Sequence, residues 1–290
     1  MKKVILCPNP YRDSDFSVAK RAKDILEEEG FAAVMCLPFE YEGDLENFDV
    51  EMLPLLQEIK TADMLIAFGG DGTILHLART VALHNVPVLG VNLGSLGFMA
   101  ELELSELERL RDLKDWNFTV ESRMMLDVTI FREGRAVYSN IALNDAVISK
   151  GSVARVVRLD IFTEEGRLTK VTGDGVLVST PTGSTGYSMA AGGPIVEPTA
   201  RNLLITPICP HSSRNSAYVL SPEHVITIEA AEANRKYVYL SADGGKAFSL
   251  RNGDKVRIRQ AKFDTKLIRL SKKSFCEILD SKMGIGVSET

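Results

Sequence analysis

The hydrophobic periodicity of this chain changes once, close to Trp116, and that change limits the folds open to it. Before it, short apolar runs alternate with helical patterns. "KVILC" (3–7) reads as a strand. Val18, Ala22, Ile25 and Leu26 then recur at helical spacing, and Gly30 is placed to stop that helix. "FAAVMCL" (31–37), "DMLIAF" (63–68) and "VPVLGVN" (86–92) read as further strands. The second of these is apolar on both faces, as a central parallel strand should be. Ile74, Leu77, Ala78, Val81 and Ala82 share one face of a helix starting at Thr73. Ser105 and Glu108 have the spacing of a capping box for a helix through Leu113. After Trp116 the runs shorten and alternate: "MMLDVTIF", "AVYSNIAL", "VVRLDIF", "DGVLVST", "HVITIEA", "KYVYLSA" and "KVRIRQ". The turns "REGR", "EEGR" and "RNGD" suit hairpins. The pattern predicts an α/β domain with a mostly parallel open sheet, followed by an all-β domain, a sandwich. The boundaries read as 1–118 and 119–271, and a helix in "SFCEILDSKMG" (274–284) lets segment 272–290 pack back on the first domain.

Bulk properties exclude several functions. The net charge of −5 argues against a broad grip on nucleic acid or anionic lipid, which needs clustered Lys and Arg. The cysteines Cys7, Cys36, Cys209 and Cys276 show no CxxC spacing, so neither a zinc knuckle nor a redox pair is predicted, and a reducing cytoplasm fits best. No apolar run is long enough to span a bilayer. His76, His84, His211 and His224 lack HxH or HExxH spacing, and no GxSxG elbow suggests a hydrolase.

Two glycine-rich turns carry the chemistry. In "MLIAFGGDGTILHLAR" (64–79) a strand runs through Gly69, Gly70, Asp71 and Gly72 into a helix. A helix N-terminus presents free N–H groups and the positive end of its dipole, so it attracts anions, and glycines let a ligand approach the backbone. Alternatively, the glycines make only a tight turn with Asp71 as its cap. The motif is neither a P-loop nor GxGxxG. "STPTGSTGYSMAAGGP" (179–194) follows a second strand, with many hydroxyl and N–H donors and the flat ring of Tyr187. "GVNLGSLGF" (90–98) is a third such stretch, with close sheet–loop packing as its plainer reading. Asn144 and Asp145 stand together in "ALNDAVISK", able to cap a turn or to read hydroxyls and amides of a ligand. "SADGG" (241–245) reads most simply as a turn. His76 falls one helical turn beyond Asp71.

Taken together, "GGDGT" (69–73), "GVNLGSLGF" (90–98), "LND" (143–145), "GDGVLVSTPTGSTGYSMAAGGP" (173–194) and "TPICPHS" (206–212) resemble the NAD kinase family, in family order and over most of the chain. The resemblance implies a Rossmann-like domain followed by a β-sandwich, the NAD kinase fold. It also implies transfer of the γ-phosphate of ATP, or of another phosphoryl donor, to the 2′-hydroxyl of the adenosine ribose of NAD, giving NADP. It implies an active site in the cleft between the domains, and a homodimer or homotetramer.

Roles follow by the same resemblance. Asp71 is the base that takes the 2′-hydroxyl proton. Gly69, Gly70 and Gly72 offer N–H groups to the donor phosphates, with Mg²⁺ carried by ATP as the divalent metal and no metal held by the protein alone. Gly72 also backs the dinucleotide beside Asp71, and His76 matches a ligand-contact position. Asn144 and Asp145 match an Asn-Glu pair that holds the nicotinamide-side ribose and amide, the acid being one methylene shorter here. Asp174 matches the acid of "GDG". Thr185, Gly186, Tyr187, Ser188, Met189 and Ala190 match the segment lining the adenosine part. Cys209 stands at a pocket wall, and Arg155 matches a basic position that reaches the site from a neighbouring subunit. Gly245 replaces a glutamine, removing one contact.

Two rivals share some of these residues. A diacylglycerol kinase also uses "GGDG", but neither the acidic balance nor any basic amphipathic helix offers a route for a membrane substrate. A nucleotide sensor would bind the dinucleotide without needing Asp71 as a base.

Overall fold

The computed structural model describes residues 1–43, 50–94, 97–151, 155–212, 216–231, 238–271 and 274–283. The chain divides into two compact units, Met1–Ser122 with Thr265–Thr290, and Arg123–Asp264.

The first unit is α/β. Strands β1 (Lys3–Pro8), β2 (Ala32–Cys36), β3 (Met52–Leu53), β4 (Met64–Gly69) and β5 (Val88–Asn92) lie side by side in the order β3-β2-β1-β4-β5, all parallel. Every residue of β4 is buried, which explains its unbroken apolar run. β5 pairs on its other side with β6 (Leu102–Glu103) and with the end of β18 (Lys255–Arg269), Leu267 opposite Val88. Helix α1 (Ser17–Glu28) buries Ala19, Ala22, Ile25 and Leu26. Its first turn is held by Asp13, whose carboxylate accepts the Val18 and Ala19 N–H groups at 3.2 and 3.0 Å. A short helix, α2 (Leu55–Glu58), precedes β4, and α3 (Asp71–His84) follows it. α3 buries Ile74, Leu77, Ala78, Val81 and Ala82, the face read from the sequence. Its end at Asn85, with φ of 57°, is a left-handed C-terminal stop.

The helix expected through Leu113 forms at residues 104–113 and is of the 3-10 type, but its capping box is Glu103 with Glu106 in place of Ser105 with Glu108. The spacing explains the type. Leu107, Leu110 and Leu113 recur every third residue, the 3-10 repeat, and all three are fully buried, each worth about 2 kcal/mol of apolar burial. Among the residues of the tail, α5 (Phe275–Met283) forms as the helical spacing predicts, opened by a Ser274–Glu277 capping box.

The second unit is all-β apart from short helices. Its strands are β7 (Thr119–Arg132), β8 (Arg135–Ala142), β9 (Asp145–Lys150), β10 (Val157–Thr163), β11 (Gly166–Gly173), β12 (Gly175–Ser179), β13 (Leu203–Ile208), β14 (Tyr218–Leu220), β15 (Ile226–Ala230), β16 (Val238–Ala242), β17 (Phe248–Ser249) and the first part of β18. One sheet has the order β11-β10-β15-β18, with β7 pairing β18 and β8 pairing β7. The other has the order β14-β13-β12-β9-β16-β17. Their apolar faces share one core, in which Val157, Leu159 and Ile161 of β10 join Ile148 of β9, Val176 of β12 and Leu240 of β16. Arg158 on β10 is exposed between its buried neighbours, so the alternation is a true inside–outside pattern. "REGR" and "EEGR" turn the hairpins β7–β8 and β10–β11. "RNGD" does not turn a hairpin: it carries the chain from β17 of one sheet to β18 of the other. Asp254 of that turn is buried and gripped by Arg132 at 2.8 and 2.7 Å.

Candidate active site

In the first unit the chemistry gathers at the carboxyl ends of the parallel strands, where open α/β sheets bind ligands. β4 ends at Gly69, Gly70 is the N-cap residue of α3 in an extended conformation (φ −130°, ψ −169°), and Asp71 is the first helical residue. The glycines differ in what they are for. A Cβ at Gly69 would collide with the Thr73 hydroxyl, so packing demands that glycine. A Cβ at Gly70 or Gly72 would meet nothing within 4 Å. The fold does not need those two glycines; what they provide is bare backbone facing open space.

Asp71 is held in one place. Its Oδ2 accepts the Phe98 N–H at 2.7 Å and its Oδ1 the Met99 N–H at 3.0 Å. A carboxylate has about four lone-pair directions, so two remain for other donors. The loop from β1 abuts the same turn: the Asn9 amide donates to the Thr73 hydroxyl at 3.0 Å. Gly90 of "GVNLGSLGF" meets the plainer expectation of close packing, since a Cβ there would lie 2.8 Å from the Ala100 Cα. Residues 95–96 of that stretch lie outside the described residues. His76 is exposed on α3, its ring 5.2 Å from that of Phe39.

In the second unit Leu143 and Asn144 link β8 to Asp145, the first residue of β9. The Asp243 carboxylate accepts the Leu143, Asn144 and Asp145 N–H groups at 2.6, 2.8 and 3.0 Å. The carbonyls of the same link are taken by Thr180, whose hydroxyl donates to Leu143 at 2.6 Å and whose N–H donates to Asn144 at 2.9 Å. Gly183 packs against this link so closely that a Cβ would collide with the Asn144 carbonyl. Asp145 is 7% exposed, and burial, reinforced by Asp243, pushes its carboxyl up to about 7. Burial also raises Tyr187, with Cys209, Asp174 and Asp145 acting in the same direction, which brings four of the predicted residues into one electrostatic neighbourhood. Asp174 pairs with Lys150 at 2.6 Å.

Other predicted residues separate. Thr185 and Gly186 are half-buried, Tyr187 opens the short helix α4 (Tyr187–Ala190) and is exposed, and Ala190 is exposed with Met189 half-buried. Ser188 points inward: it is fully buried and its hydroxyl bonds Thr206 at 3.0 Å. Arg155 is exposed just before β10, and Cys209 is exposed with φ of 44°. Gly245 closes a turn to the Ala242 carbonyl at 2.9 Å. Sequence reading did not single out Thr180 or Lys150, and it took Asp243 for a turn residue only.

Comparison with known proteins decides the family. The profile of the ATP-NAD kinase N-terminal domain matches residues 4–113, and that of the ATP-NAD kinase C-terminal domain matches residues 143–270. The chain belongs to the NAD kinase family. An NAD kinase of Natranaerobius thermophilus is 36% identical over 286 residues, covering 98% of each chain. One of Symbiobacterium thermophilum is 45% identical over 225 residues, 76% of this chain and 78% of the relative. Yeast NADH kinase, solved in complex with NADH, superposes with a TM-score of 0.84 at 26% identity, covering 100% of this chain and 89% of its own. An Archaeoglobus fulgidus NAD kinase solved with ATP shares the fold, with a TM-score of 0.74 at 22% identity over 99% of this chain and all of its own. The fold is thus that of NAD kinases, and the protein is a phosphotransferase acting on NAD. The lipid-kinase and sensor readings of "GGDG" give way to it. Among the described residues no helix is long and apolar enough to cross a membrane.

Proposed function

We propose that Asp71 is the group on which this NAD kinase turns, accepting the proton of the adenosine 2′-hydroxyl as that oxygen attacks the γ-phosphorus of ATP. The observation that supports this most is the contrast at the glycine turn: Gly70 and Gly72 leave backbone bare beside a carboxylate that two amides hold still. The donor's phosphates take the bare N–H groups of Gly70 and Gly72 at the positive end of α3, with Gly69 fixing the turn. Mg²⁺ enters with ATP as part of the substrate. A lysine in the turn is then not required, because phosphoryl transfer depends on positioning and on neutralising charge. The two amides hold Asp71 in orientation, and its free lone pairs orient the hydroxyl early and take the proton late.

Asn144 and Asp145 hold the nicotinamide-side ribose and amide. Asp174 and the segment Thr185–Ala190 hold the adenosine side, with the Tyr187 ring against base or ribose and Cys209 as a wall. Ser188 serves that segment from beneath, through Thr206, and not by touching the ligand. His76 lies on the donor-proximal helix. The working protein is a homodimer or homotetramer in the cytoplasm, with Arg155 serving a neighbouring subunit's site. The test is NADP formation by the purified protein with NAD, ATP and Mg²⁺, beside Asp71→Ala. The reading requires NADP from the parent and none above background from the variant; equal rates would refute it.

A further inference from the structure

The turn "SADGG" does more than reverse the chain. Asp243 stands at a φ of 48°, followed by Gly244 at 68°, and Gly245 closes the turn on Ala242. This left-handed pair, tolerated by Asp and Gly, directs the Asp243 carboxylate at a segment 98 to 100 residues away in sequence. There it collects three consecutive N–H groups, while the Asp243 N–H returns a bond to the Asp145 carbonyl at 3.0 Å. Thr180 holds the two carbonyls of the same segment. The backbone at 143–145 is therefore fixed from both sides, and only the side chains of Asn144 and Asp145 keep bonding capacity. The Asn144 Oδ1 is buried and has no hydrogen-bond partner among the described residues. A fully tied backbone beside an unused amide oxygen is the arrangement of a preorganised ligand contact.

We propose that Asp243 is a positioning residue for dinucleotide binding: by gripping the amides of Leu143, Asn144 and Asp145 it aims the Asn144 amide and the Asp145 carboxyl at NAD. This rests on the assignment of Asn144 and Asp145 to NAD given above. Asp243 also acts on Asp145 through its charge. Among the described residues the charge that acts on Asp145 is that of Asp243, on the turn after β16; Asp145 in turn acts on Tyr187 of α4, and the uncharged Ser179 of β12 pairs with it in the sheet. Cys209 and Asp174 act on Tyr187, and Lys150, at the far end of β9, is engaged by Asp174. Burial first, and then the Asp243 charge, hold the Asp145 proton on to about pH 7, while burial also raises Asp243 itself against the pull of its three amides. Removing that charge lets Asp145 ionise at lower pH, so the pH profile for NAD reports on Asp243 in a way a mere structural cap would not.

The test uses the full-length enzyme and compares Asp243→Asn, Thr180→Val, Asn144→Ala and Asp145→Asn. Asp243→Asn is expected to raise KM for NAD by about tenfold to a hundredfold, the range for losing bonds to a charged group, with KM for ATP within about twofold of the parent. Its kcat/KM for NAD should rise with pH at a lower midpoint than the parent's. Thr180→Val should raise KM for NAD with the midpoint in place. A KM for NAD unchanged in Asp243→Asn, with Asn144→Ala raising it, would overturn the positioning role and leave the NAD assignment standing. A raised KM with an unmoved midpoint would also overturn it, making Asp243 a structural cap. Unchanged KM for NAD in both Asn144→Ala and Asp145→Asn would remove the assignment and this inference together. Should Asp243→Asn not fold, Asp243→Ser decides by the same two readouts: a raised KM for NAD with a lowered midpoint supports the role, an unchanged KM or an unmoved midpoint refutes it.

Discussion

Gly97 lies so close to Asp71 that a Cβ added to it would occupy the space of the Asp71 carboxylate. Only glycine lets residues 97–99 fold over the helix start and present the Phe98 and Met99 amides to that carboxylate. The glycine of one loop thus fixes the acid of another, and with it the direction in which the acid can reach.

Gly97→Ala should therefore displace Asp71 without unfolding the protein. The expected result is a fall in kcat of about tenfold or more, the scale for misplacing a catalytic group, with Tm within a few degrees of the parent. A steady-state assay beside a thermal melt checks it. Unchanged kcat would mean that the carboxylate is free to move aside.

How much of this was legible in the sequence depends on the range of the interaction. Strands β1, β2, β4 and β5 and helices α1 and α3 announce themselves locally, because their apolar spacing is a local consequence of facing a core, and the tail helix shows in its spacing alone; the two-residue parallel strands β3 and β6 are too short to leave a pattern. β13 did not: all six of its residues are buried and it carries Pro207, so it shows neither alternation nor ordinary strand composition. At 104–113 the helix was legible but not its 3-10 type, since leucines three apart fit two helix types. Gly70, Asp71 and Gly72 could be singled out from their motif. Nothing in "SADGG", however, distinguishes an acid that ends a turn from one that ties down amides about a hundred residues earlier. Contacts of that span are fixed by the packing of strands that no local pattern encodes.

Asp145 makes stability depend on pH. Its carboxyl in the folded chain, near 7, lies above the unfolded value of about 3.9, so the native state holds the proton more tightly between those limits. Stability is lost as pH rises through that window. Asp145→Asn removes the penalty. The Tm difference between variant and parent should widen in the variant's favour from pH 5 to pH 8, followed by calorimetry. Parallel curves would contradict this.

Asp254 provides the opposite case. It is 5% exposed, paired bidentately with Arg132 and bonded to the Arg251 N–H at 2.7 Å. Burial favours its neutral form, but Arg132 and the Arg251 amide outweigh that and lower its pKa. Its contribution is present above the unfolded value and lost as pH falls below it. Asp254→Asn removes the charge that Arg132 and the Arg251 N–H bind, and should lower stability in denaturant unfolding by more than an exposed pair contributes, with specific activity of the folded fraction unchanged. A cost below about 0.5 kcal/mol, typical of an exposed pair, would show the bridge to be solvated.

The most direct measurement is single-turnover formation of NADP by Asp71→Asn with NAD, ATP and Mg²⁺ saturating, and the Kd for NAD measured alongside. Asparagine keeps the size of the side chain but cannot take a proton, and it gives up one of the two bonds from the Phe98 and Met99 amides. The rate is expected to fall by about a hundredfold to ten-thousandfold, the usual worth of a general base, with Kd for NAD within a few-fold of the parent. A rate within a few-fold of the parent at normal Kd would show that the 2′-hydroxyl loses its proton elsewhere.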